Sequence, residues 1–290
     1  MLGGVAASVL FASAASAADI APLVIPPIPV IAPVAPTTLS AYIEAFAGLR
    51  LMFDNGEVET LALEGPPVYG FGGAAHLAWQ PGPAFSIQTD AWAERWYYGE
   101  EPFHLWGVAG HATFRTGNLQ VGSLASVGYG YFGGTYVNLG GEAALNADRL
   151  RVYTQGGYIF AIGGSPLGYG SRDVYSQTVV TFYPRPNVAL SVNAGADYYW
   201  ERDYIPAGDY SSVGLNIGTR FEFQPEGRRF GVFAAYQLQW RNEFNHDLIF
   251  TTHVVGLGIS LMLGQPDIRS RDRAIGLADN NPMFGPTFPP

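Results

Sequence analysis

The 290-residue chain contains no cysteine. That removes disulfides, thiolate metal sites and cysteine nucleophiles together. Charge is sparse as well: only 13% of the residues are Asp, Glu, Lys or Arg, about half the usual share for a soluble domain. What charge there is leans acidic, with 24 Asp and Glu against 15 Lys and Arg and a formal net charge of −9. That balance argues against nucleic acid as a partner. No apolar run beyond the N-terminal region is long enough to cross a membrane as a helix. Neither G-x-S-x-G nor H-E-x-x-H occurs, so two common hydrolase signatures are missing. No catalytic set, metal site or cofactor is expected.

The chain is instead rich in glycine (37), tyrosine (17) and phenylalanine (18). It opens with MLGGVAASVLFASAASAADIAP, a short apolar core followed by Ala15-Ser16-Ala17. The small-x-small pattern reads as a secretory signal over 1–17, with no Arg or Lys before its core. The next stretch, 18–38, contains APLVIPPIPVIAPVAP. Proline at this density excludes helix and central strand and favours extended polyproline II, so the segment reads as a periplasmic linker.

From Leu39 onward a period of two recurs without helical interruption. In RFGVFAAYQLQW, Phe230, Val232, Ala234, Tyr236, Leu238 and Trp240 fall on one face, and Arg229, Gly231, Phe233, Ala235, Gln237 and Gln239, mostly small or polar, on the other. Successive strand side chains point to opposite faces, so this is a strand with one greasy side. The same sorting is found near 39–53, 69–80, 84–98, 103–115, 119–132, 135–146, 149–162, 175–183, 187–200, 210–223, 229–241 and 248–263. Most runs exceed the five or six residues of globular strands. They match tilted strands that cross a bilayer.

The connections alternate. Pro81-Gly82-Pro83, Thr116-Gly117-Asn118, Ala147-Asp148 and Pro184-Arg185-Pro186 are tight turns, and the longer links 54–68, 163–174, 201–209 and 242–247 all fall at the opposite end. Outward parity puts Trp106, Trp200 and Trp240 at the loop end and Trp79 at the turn end, where aromatic girdles mark membrane interfaces. The polar face carries no lysine and much glycine and alanine. It coats a soluble exterior too thinly and suits a lumen. The expected fold class is all-β: a transmembrane antiparallel up-and-down barrel of about twelve strands over 39–263, with a periplasmic tail over 264–290.

These features resemble the single-chain outer-membrane β-barrels of Gram-negative bacteria, and among them the porin-like proteins of alphaproteobacteria. The resemblance rests on the signal ending ASA-AD, the hairpin WQPGPAFSIQTDAWAE and the final strand VVGLGISLML. In that strand Gly258, Leu261 and Leu263 follow the barrel-assembly signal; Gly256 departs from it, and so does the chain's continuation beyond the strand. The resemblance implies an outer-membrane location and, as partners, outer-membrane lipid, lipopolysaccharide and the barrel-assembly machinery.

Parity also selects candidate pore-lining residues: Glu44, Arg50, Asp90, Glu142, Arg151, Asp197, Arg220, Gln237 and Gln239. Opposed charges on a lumen wall can orient polar solutes, and inward glycines such as Gly70, Gly107, Gly128, Gly214 and Gly258 leave space. The expected function is passive passage of small polar solutes or ions. One alternative is a closed structural or adhesive barrel displaying loops 54–68 and 163–174. Another is a lipid-modifying hydrolase using inward-facing His76, Asp90 and His111, although no nucleophile is evident beside them. Trp92 and Trp96 share the polar face while Arg95 takes the apolar one. That inversion predicts a register change or an extension beyond the membrane, ahead of a third reading in which the two tryptophans form a stacking surface for sugar.

Overall fold

A computed structural model describes residues 39–54, 62–63, 68–98, 101–129, 134–162, 172–204, 208–244 and 248–274. The expected signal segment and proline-rich linker lie outside the described residues. The strands are β1 (Leu39–Asp54), β2 (Ala62–Leu63), β3 (Val68–Trp79), β4 (Phe85–Tyr98), β5 (Glu101–Thr116), β6 (Leu119–Tyr129) and β7 (Thr135–Asn146). They continue as β8 (Leu150–Ile162), β9 (Arg172–Arg185), β10 (Val188–Tyr204), β11 (Gly208–Phe223), β12 (Phe230–Glu243) and β13 (Leu248–Leu263), followed by the helix α1 (Ile268–Ala274).

Each long strand pairs antiparallel with its neighbours in sequence. β13 closes onto β1 from Ala41↔Leu263 to Asp54↔Phe250. The result is a closed twelve-strand up-and-down barrel. The two-residue β2 only extends the end of β1, through Phe53↔Leu63 and Asp54↔Ala62. Closure leaves no sheet edge, the condition for a β-structure to sit in hydrocarbon.

Burial alternates along the strands, as in β9, where every second residue is buried. The exposed set is apolar: Leu190, Val192, Leu215, Ile217, Val232, Leu257 and Ile259 all face outward, the last two 65% and 62% exposed. Such a surface is intolerable in water and natural against lipid. Trp79 and Trp106 are exposed on the same wall. Trp106 stacks on Tyr129 with ring centres 6.2 Å apart, and Tyr69 stacks on Tyr97 at 5.2 Å. The turn end is tight because Gly117 and Gly227 take positive φ (57° and 69°), which side chains with a Cβ resist.

The expected inversion at Trp92 and Trp96 does not occur as a register change. β4 keeps continuous pairing with β3 and β5 from Tyr69↔Tyr97 to Phe85↔Phe114. Both tryptophans point inward because the neighbouring strands offer glycines. The Trp96 ring lies over Gly70, and the Trp92 ring over Gly107. Phe233 covers Gly258 and Tyr136 covers Gly128 in the same way. The inward glycines therefore do not leave the open space expected of them. They are seats for large side chains reaching across from adjacent strands.

Candidate functional site

Eight strands can fill their own interior with side chains. Twelve strands about 4.8 Å apart and tilted by roughly 40° give a backbone radius of about 12 Å, and most inward side chains are buried within it. The lumen is therefore the place to look for chemistry. Its side chains include many buried polar and charged groups beside small apolar clusters.

The first cluster lies in the turn-end half. Tyr42 and Glu44 are successive inward residues of β1, and the Tyr42 hydroxyl donates to Glu44 Oε2 at 2.6 Å. Arg220 of β11 reaches across the β13–β1 closure, with Nη2 2.8 Å from Glu44 Oε2. It also donates to the Tyr42 hydroxyl at 2.9 Å. Its guanidinium lies 3.8 Å from the ring centre of Phe233. Glu222, two residues on, stands 3.4 Å from Arg220 and accepts from Ser260 at 3.1 Å.

The second cluster runs round the opposite wall. His76 Nδ1 meets Asp90 Oδ1 at 3.0 Å, and Gln88 donates to the same oxygen at 2.8 Å. His111 Nε2 lies 2.8 Å from Asp90 Oδ2, close as an ion pair but too bent for a hydrogen bond. Its Nδ1 is 3.0 Å from Glu142 Oε2. Tyr153 then donates to Gln155 at 2.7 Å. One imidazole thus bridges two carboxylates that would otherwise repel. The side chains of His111 and Glu142 are 0% exposed. The alternation of the sequence brings His76, Asp90 and His111 together as expected. It also buries all three.

A third pair closes the loop-end half, where Arg241 Nη2 meets Asp197 Oδ2 at 2.7 Å and Nη1 donates to Ser212 at 2.6 Å. Arg50 packs its guanidinium 5.1 Å from the Trp96 ring, and Arg151 lies 5.4 Å from the Tyr153 ring. Gln237 and Gln239 also turn to the lumen on β12, with Gln237 fully buried. All nine candidate pore-lining residues therefore sit on the inner face. Six of them fall into the three clusters: Glu44 with Arg220, Asp90 with Glu142, and Asp197 in its pair with Arg241 accounting for five, and Arg151 beside Tyr153 for the sixth.

The tail beyond β13 begins with a segment tied to the barrel. Residues from Gly264 to Ala274 do not hang free but turn back into the turn-end mouth. Gly264 makes the reversal at φ 90°, and a Cβ there would lie 2.7 Å from the Leu39 carbonyl oxygen. α1 then inserts Ile268, fully buried, into a cluster with Tyr42, Ala78, Tyr183, Ala189 and Met262. Arg271 donates to both Glu222 oxygens, at 2.6 and 3.1 Å. Its guanidinium lies 4.3 Å from the Tyr42 ring centre. Tyr183 donates to Asp272 at 2.7 Å, and Gln80 to the Ala274 carbonyl at 2.6 Å. Arg115 reaches the Arg273 carbonyl, and Arg273 reaches the Ala147 carbonyl. Arg269 pairs with Asp148 at 3.2 Å. The helix is tied to β1, the β3–β4 turn, β5, the β7–β8 turn, β9 and β11, which is most of the circumference.

Sequence reasoning missed Arg271 and the central place of Glu222. One signal was available: with Arg220 between Glu44 and Glu222, the wall itself supplies one acid too many. Nothing in a period-two pattern says that a tail arginine neutralises it.

No family model matches the chain, and no curated protein matches it by sequence. Solved structures do resemble it. The COG4313 outer membrane channel from Pseudomonas putida F1 is 10% identical, with a TM-score of 0.54 over 79% of this chain and 97% of that one. The NanC porin is 10% identical, with a TM-score of 0.49 over 75% of this chain and 100% of that one. The translocator domain of the autotransporter NalP from Neisseria meningitidis is 14% identical, with a TM-score of 0.43 over 76% and 88%. The first likeness shows the fold: this is an outer-membrane type of β-barrel.

Proposed function

We propose that the protein is an outer-membrane channel for small polar solutes or ions, of the porin-like kind, and that the described conformation is its closed form. The observation that carries this reading is the closure at the turn end. Charged and amide side chains line the inner wall, and a separate segment, α1, packs into the turn-end mouth. A permanently solid post would gain nothing from closing one end with a helix that hangs on a single glycine turn. The turn end is the periplasmic side in this reading, because short turns mark that side of outer-membrane barrels. The hydrolase alternative loses support, since His76, Asp90 and His111 are buried and engaged with one another and with Glu142.

Planar-bilayer recordings test the reading. The mature chain ending at Gly264 should conduct steadily, whereas the chain with its tail should be silent or open only briefly. Truncation there also leaves β13 at the C-terminus, where assembly signals usually sit. Silence from both chains would favour the closed structural barrel.

A further inference from the structure

Between the Arg220 cluster and the Asp197–Arg241 pair, the wall formed by β10, β11 and β12 carries an uncharged zone. Asn193, Gly218 and Gln237 are adjacent in one cross-strand row. One row towards the loop end, Gly195, Asn216 and Gln239 form a second. Asn216 lays its amide across Gly195.

These amides differ from the Arg220–Glu44 and Arg241–Asp197 pairs on either side of them. Asn193 Nδ2 and Oδ1, Gln237 Nε2 and Oε1, and Asn216 Oδ1 are buried and have no hydrogen-bond partner among the described residues. The side chains are only 4%, 0% and 8% exposed. An unpaired buried polar atom is costly, and native structures keep few of them without water or ligand. Here five are gathered on three neighbouring strands. Gly218 stands between Asn193 and Gln237 and contributes no side chain. The two amides therefore lie on strands about 9.6 Å apart with no side chain from β11 between them.

We propose that this row is a binding station for a small neutral solute with adjacent hydroxyl groups, of about glycerol size. A hydroxyl both donates and accepts, so one such group can satisfy an amide N–H and an amide oxygen together. Neutrality follows from the surroundings. Arg220 is paired with Glu44, and Asp197 with Arg241, so an ion in the row loses hydration without gaining a counter-charge. The station deepens the channel reading, on which the solute's access rests.

The test uses the full 15N-labelled chain refolded in detergent micelles. Side-chain NH2 signals of Asn193 and Gln237 are identified by their loss in Asn193→Leu and Gln237→Leu. If either variant fails the heat-shift gel assay for folding, Asn193→Ser or Gln237→Ser replaces it. Glycerol should move both signals together and saturably, and acetate should not. In Gln237→Leu the Asn193 response should need roughly tenfold more glycerol. Absence of a saturable shift means that the row holds only water and overturns the proposal. An equal response to acetate overturns it too. Bilayer conductance of the chain ending at Gly264 separates this outcome from the channel reading. Glycerol shifts without conductance keep the station and remove the channel; conductance without glycerol shifts does the reverse.

Discussion

The turn-end mouth and the amide row lie inside the same wall, on the same parity, and are built in opposite ways. At the mouth each acid has a partner, and Glu222 is met by Arg220, Arg271 and Ser260. In the amide row, Asn193 and Gln237 have no partner among the described residues. Paired charges in a low-dielectric interior fix one arrangement, because removing either member strands the other. Unpaired amides fix nothing and leave their bonds open to whatever enters. The lesson is that inward polarity has two uses here. One ties a helix to the wall and the other carries the proposed solute station.

Substitutions can break or sharpen that contrast. Glu222→Ala should have the largest effect on stability. It leaves Arg220 with Glu44 alone and strips Arg271 of its main wall partner, a loss of about 3–5 kcal/mol for an unpaired buried charge. Urea unfolding in lipid vesicles would read it, and α1 should become open to protease in the same variant. A silent Glu222→Ala would mean that the mouth is no better satisfied than the amide row.

His111→Leu should cost about 3 kcal/mol by the same route, because Asp90 and Glu142 would face each other without the bridging ring. Unlike Glu222→Ala, it should leave α1 docked and its protease resistance intact. Loss of that resistance would show that the two clusters are one coupled unit. Gly264→Val acts on the backbone alone. It forces a branched side chain to a φ of 90° against the Leu39 carbonyl, at a cost of about 1–2 kcal/mol. The barrel should stay folded while the tail becomes cleavable. Arg269→Ala is expected to do least. Its partner Asp148 is 68% exposed, so the pair contributes well under about 1 kcal/mol, less still in high salt. A large effect there would mean that the rim, not the buried charges, seats the helix.

Much of the fold was legible in advance. The twelve runs correspond one for one with the twelve barrel strands. The errors are at strand ends, as where 175–183 extends to Arg172–Arg185 and 187–200 to Val188–Tyr204. Alternation fades there because strands continue past the lipid band, where outward residues need not be apolar. The site was half legible. Glu44, Asp90, Asp197, Arg220 and Gln237 could be placed on the inner face, but not joined to their partners. The glycines were misread, since a missing side chain looks like space until the neighbouring strand supplies Trp92 or Trp96 to fill it.

By itself the sequence determined that this is a barrel with an apolar outside and a polar inside, because a period of two is a local property that each strand carries alone. Only the tertiary structure decided which acid meets which base, which glycine seats which ring, and that the start of the tail packs into the turn-end mouth. Arg220 and Glu44 are 176 residues apart and meet because the barrel closes through β13 and β1. Arg271 finds Glu222 because Gly264 reverses the chain beyond the last strand. Those contacts depend on register and closure, which are properties of the whole ring and are written in no single strand.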